Sequence, residues 1–166
     1  MLGYILSWLK DVRPEILTFI VAMLPIAELR GAIPLALSLK LSAIRAYGLA
    51  VTGNLIPVLP VLFFLGPASN YLRKFSIFDR FFTWLFQRTQ NRSKIIEKLQ
   101  LIGLVCFVAI PLPMTGAWTG SVAAFLFQFR IRDSFWAISL GVLIAGLVVT
   151  MAWLGVIHLV PFAVMK

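Results

Sequence analysis

Apolar stretches over residues 14–39, 46–65, 101–129 and 136–160 dominate this chain, and a water-soluble fold of this size cannot bury them all. Only 13% of the 166 residues are charged, about half the usual soluble-domain share of roughly 25%, and 61% are hydrophobic. A membrane-crossing helix needs about 20 apolar residues. The sequence therefore predicts an all-α integral membrane protein, a single membrane domain over residues 1–166 with no room for a separate soluble catalytic domain.

Two of the stretches are interrupted. Residues 14–39 contain Pro25, Gly31 and Pro34, with Glu28 and Arg30 between the prolines, and residues 101–129 contain Pro111, Pro113, Gly116 and Gly120. Proline removes a backbone donor and clashes with the preceding turn. In lipid an unpaired backbone group costs several kcal/mol, so broken backbone persists only inside protein or beside trapped water. A kinked span is one reading; two re-entrant hairpins are the favoured one, because a charged pair is a poor core for a simple kink. The breaks also repeat. PIAELRGAIP from Pro25 is answered by PLPMTGAWTG from Pro111, an offset of 86, and GNLIPVLP from Gly53 by GVLIAGLV from Gly141, an offset of 88. The order of broken segment, basic loop and long segment predicts an inverted repeat of two units. Repeat 1 covers about residues 14–66 and repeat 2 about 101–160, joined by a linker at about 69–99.

The net charge of +9 is concentrated: seven of fifteen basic residues are Arg73, Lys74, Arg80, Arg88, Arg92, Lys94 and Lys98. Such a cluster between apolar segments marks the cytoplasmic side of a bilayer and attracts membrane lipids rather than nucleic acid. Within it, Tyr71, Phe75, Phe78, Phe82 and Leu85 share one helical face, predicting a basic amphipathic helix over 71–88 that lies in the interface. Residues 1–13, with Tyr4 and Trp8, read as an interfacial lead-in. The expected location is the cytoplasmic (inner) membrane, multi-pass, with 69–99 in the cytoplasm. Re-entrant and fully spanning versions of the broken segments put the termini on opposite sides.

Glu28 and Arg30 are the sharpest chemical feature. An ionisable residue at membrane depth is expensive and faces a cavity or a partner. Burial and a nearby cation act oppositely on a carboxyl group, leaving Glu28 suited to proton exchange near neutral pH. Arg30 offers a planar fork for phosphate or carboxylate; the alternative is a pair that only pins its loop. In the second broken segment Thr115, Trp118 and Thr119 would form a neutral polar wall. Asn54 would either satisfy backbone freed by Pro57 or line a cavity. Gly31, Gly116 and Gly120 would permit tight turns or close helix contact. His158 has no second histidine, Cys106 has no second cysteine, and no phosphate loop, nucleophile elbow or carboxylate cluster occurs. No enzyme activity, metal or cofactor is expected.

At ELRGAIPLAL (28–37), PLPMTGAWTG (111–120) and GNLIPV from Gly53, the chain resembles a bacterial and archaeal family named for small multi-drug export. More distantly, two broken segments each followed by a span resemble the DedA/VTT superfamily, implicated in proton-coupled transport, polyprenyl-phosphate recycling and lipid scrambling. That resemblance implies Glu28 as the counterpart of an acidic residue in the first re-entrant loop. The chain departs from it in having no arginine between Pro111 and Gly120.

The leading expectation is a small secondary transporter exporting a lipophilic, cationic, drug-like compound against protons. One alternative is a DedA-like translocase whose lipid or polyprenyl phosphate binds Arg30. Another is a non-transporting assembly or scaffold protein. So short a chain is compatible with a homodimer.

Overall fold

A computed structural model describes residues 13–72, 94–112 and 115–164, and among them all regular structure is helical. In chain order the helices are α1 (Pro14–Met23), α2 (Glu28–Ser38), α3 (Ala43–Leu55), α4 (Val58–Leu72), α5 (Lys94–Ala109), α6 (Ala117–Leu126) and α7 (Ile131–Val164). The interfacial helix expected over 71–88 and the lead-in at the N-terminus lie outside the described residues, apart from Tyr71 and Leu72 at the end of α4 and Arg13.

Three helices stop where the sequence forces them to. Leu24, Ile56 and Ile110 each precede a proline, whose ring pushes the preceding residue out of the helical region; α1, α3 and α5 end one residue earlier. Leu24 accordingly sits at φ −74°, ψ 135°. Pro34 behaves differently. It lies inside α2, as does Gly31, and Gly120 lies inside α6. The breaks are therefore narrower than the prolines and glycines suggested: residues 24–27 in the first segment and, among the described residues, 110–112 and 115–116 in the second.

The chain divides into two compact units. One holds α1, α2, α3 and α7 from Leu143 onward; the other holds α4, α5, α6 and α7 up to Val142. In the first, α2 doubles back on α1: a Cβ placed on Gly31 would lie 3.9 Å from the Val21 side chain across the turn. Alanines fill the interior, with Ala22, Ala32, Ala36, Ala46 and Ala50 fully buried, so the backbones approach closely. In the second unit α6 doubles back on α5, where a Cβ on Gly120 would meet Val108 at 2.6 Å. The buried hydroxyls of Thr18, Ser121, Ser134 and Thr150 each donate to the carbonyl four residues earlier, while that of Ser139 has no partner among the described residues.

Similar local structure occurs in the two units at offsets of 86 and 88 residues. α1 ends at Met23 and α5 at Ala109; α2 ends at Ser38 and α6 at Leu126; α3 starts at Ala43 and α7 at Ile131. Lys40 at φ 63° and Gln128 at φ 56° close the second helix of each pair. Leu41 N–H donates to Ala36 C=O at 3.0 Å and Phe129 N–H to Ala124 C=O at 3.1 Å, completing the same left-handed cap. Glycine is the residue that cap normally uses. Gln128→Gly is accordingly expected to be at least neutral, while a β-branched Gln128→Ile should cost about 1–2 kcal/mol; thermal unfolding in detergent checks both.

The helices are also apolar on the outside. Trp136, Leu140, Leu147 and Met151 are exposed along α7 while Ile138, Val142 and Ala145 are buried. Two stretches, Ala43–Leu65 and Ile131–Gly155, are long and apolar enough to cross a membrane.

Candidate functional site

Glu28 opens α2 and is buried, at 6% exposure. Its φ is 45°, in the left-handed region that non-glycine residues rarely adopt, Glu less readily than Asn or Asp. Its N–H donates to Leu24 C=O at 3.0 Å, closing the turn between α1 and α2. At an offset of 88, Gly116 occupies the corresponding place before α6, with φ 157° and ψ −163°, a conformation essentially reserved for glycine. Glycine thus stands before α6 where a buried acid, in a different backbone conformation, opens α2. Strain of this kind concentrates at functional sites.

Arg30 is half-buried in the first turn of α2. Pro34 cannot donate to the Arg30 carbonyl, so that acceptor loses its usual helical partner. Asn54, near the end of α3, is 1% exposed, and neither its Nδ2 nor its Oδ1 has a hydrogen-bond partner. It therefore does not satisfy backbone freed by Pro57, one of the two roles expected for it. An unpaired buried amide costs roughly 1–3 kcal/mol, and the Asn54 amide has no hydrogen-bond partner among the described residues to offset it.

Thr115, Trp118 and Thr119 fall in the second unit. The Thr115 hydroxyl accepts from Leu112 N–H at 3.2 Å and lies 2.8 Å from the carbonyls of Ile110 and Leu112. Thr119 donates to Gly116 C=O at 3.3 Å. Both hydroxyls serve their own turn. Trp118 is half-buried in the first turn of α6; Pro113 lies outside the described residues. The candidate residues thus separate into Glu28, Arg30 and Asn54 in one unit and the threonines and Trp118 in the other. Cys106 is exposed. Among the described residues no group of three or more His, Cys, Asp or Glu side chains could hold a metal ion.

The sequence did not announce the left-handed backbone at Glu28, since glutamate has no preference for it. It did carry a signal for the close helix contacts. Gly53 and Gly141 stand 88 residues apart in similar stretches, and a Cβ on Gly53 would meet Phe19 O at 2.6 Å, while one on Gly141 would meet Val105 O at 2.9 Å.

Short paired helices, two span-length helices, an apolar exterior and a buried acid beside a helix break define an all-helical membrane protein. Residues 28–148 match the family model described as putative small multi-drug export protein, and the chain belongs to that family. No curated protein and no solved structure matches it.

Proposed function

We propose that the protein is a small secondary transporter of the cytoplasmic membrane that exchanges protons at Glu28 against a lipophilic cation. The observation behind this reading is the buried carboxyl at φ 45° in the turn between α1 and α2. A carboxylate in an apolar interior attracts either a proton or a cation, and competition between the two is the elementary step of proton-coupled export. Asn54, buried and unpaired, supplies a neutral polar group in the same unit, and Arg30 sets the local field. The family description points the same way.

The architecture we propose is an inverted repeat. Each half is a helical hairpin followed by a span, so each half crosses the membrane once and the second is inverted relative to the first. The matching helix ends, left-handed caps and crowded glycines support the duplication. The apolar helices of the hairpins, Pro14–Met23, Leu99–Ala109 and Ala117–Leu126, are 10–17 residues long. At 1.5 Å per residue, ten residues reach about 15 Å, half the hydrocarbon thickness, which supports re-entry over crossing. The basic residues between Arg73 and Lys98 argue for a cytoplasmic linker.

The test is a titration of purified protein, in weakly buffered detergent near neutral pH, with a hydrophobic quaternary ammonium compound. Proton release is expected from the wild type and not from Glu28→Gln, which should still fold and insert. Equal release from both would end the proposal. No release from either would do so too, and would move attention to Arg30 and anionic lipid phosphates.

A further inference from the structure

A separate feature lies within the first unit. A shallow groove of about 590 Å³ runs between α1 and α3, lined by Glu15, Ile44, Arg45, Gly48, Leu49 and Thr52. The α3 residues form one stripe two turns long, about 12 Å at 1.5 Å per residue. Arg45 sits in the first turn of the stretch Ala43–Leu65, which is long and apolar enough to cross a membrane; a charged side chain at the end of such a span reaches toward the headgroups. Glu15 faces the same groove from the first turn of α1. The two carry opposite charges, yet neither is engaged in an ion pair among the described residues.

Deeper along the stripe the wall is apolar. The Thr52 hydroxyl donates to Gly48 C=O at 2.7 Å, so its proton is committed to its own helix. At Gly48 a Cβ would meet nothing within 4 Å, which leaves an open notch beneath the charged mouth. The shallow groove thus brings together a cation and an anion with no ion-pair partner among the described residues, beside an apolar stripe.

We infer that this groove holds a phospholipid with a primary-ammonium zwitterionic headgroup, phosphatidylethanolamine in chemical class. The Arg45 guanidinium donates to the phosphate in a planar fork. The lipid ammonium donates to the Glu15 carboxylate, and the first part of an acyl chain lies over Gly48 and Leu49. An anionic headgroup gains Arg45 but sets a neutral or negative group against Glu15. A quaternary choline has no N–H to donate. Both should bind less well. This is a standing lipid site, separate from Glu28 and independent of the transport reading.

The experiment is native mass spectrometry of the full-length protein in detergent. The probes are phosphatidylethanolamine, its N-methylated series, phosphatidylcholine and phosphatidylglycerol, all with the same acyl chains. Phosphatidylethanolamine should be retained about tenfold more tightly than phosphatidylcholine or phosphatidylglycerol, the scale of one charge-assisted hydrogen bond, with stepwise loss on N-methylation. Glu15→Gln should erase the preference for ethanolamine over choline, and Arg45→Gln should weaken all the lipids. Gly48→Leu, at a position with open space, should block retention without disturbing the fold. Equal binding of the lipids by the wild type, a preference for phosphatidylglycerol, or an ethanolamine preference that survives Glu15→Gln would overturn the assignment.

Discussion

Alanine at Gly53 or at Gly141 is expected to destabilise the protein by roughly 1–3 kcal/mol, the range for overpacking a close-packed interior. The reason is that the first obstacle is backbone. A methyl group at Gly53 would stand 2.6 Å from the carbonyl oxygen of Phe19 and 3.0 Å from the Ala22 Cβ. At Gly141 it would stand 2.6 Å from the Val108 Cβ and 2.9 Å from the carbonyl oxygen of Val105. None of these atoms is the tip of a flexible side chain, so whole helices must separate, and small-residue contacts lose the close approach that holds membrane helices together. Gly103 and Gly155 are the controls. A Cβ at either meets nothing within 4 Å, so Gly103→Ala and Gly155→Ala should be neutral or slightly stabilising through helix propensity. Thermal unfolding in detergent separates the two classes. If all four substitutions behave alike, the close packing of α3 on α1 and of α7 on α5 is not what these glycines serve.

That prediction also marks how much was legible in the sequence. The spacing of Gly53 and Gly141 was visible, glycine recurring 88 residues on in two similar stretches. The ends of α1 and α5 were visible for a local reason: Leu24 and Ile110 stand before prolines, and the steric effect acts on the neighbouring residue alone; the same effect at Ile56 ends α3 inside the 46–65 stretch, which reads in sequence as one long span. Pro34 shows where such reasoning fails. A proline inside a helix costs one hydrogen bond and a clash, and whether the surroundings compensate depends on packing that no local rule contains; around Pro34, Ile33 and Ala36 are both fully buried. The hydroxyls of Thr115 and Thr119 were legible as polar groups in a broken segment, but not as groups that satisfy their own turn. The conformation of Glu28 was illegible, because it opposes the intrinsic preference of the residue.

That opposition makes a decisive comparison at Glu28. Glu28→Gly and Glu28→Ala remove the same carboxyl group and lose the same side-chain partners, so they differ only in what the backbone requires. At φ 45° a Cβ is crowded against the following carbonyl, whereas glycine adopts this region freely. Glu28→Gly should therefore be more stable than Glu28→Ala by about 1 kcal/mol. Both variants should nevertheless lose cation-driven proton release completely, while Glu28→Asp, which keeps a carboxyl, should retain part of it. Greater stability of Glu28→Gly than of Glu28→Ala, with proton release lost in both, identifies a residue kept for its chemistry against the preference of the fold. The opposite pattern is equally readable. If Glu28→Gly is no more stable than Glu28→Ala, the turn does not need positive φ. If Glu28→Gly keeps proton release, the carboxyl is not the exchanging group, and the acid at the start of α2 serves the fold alone.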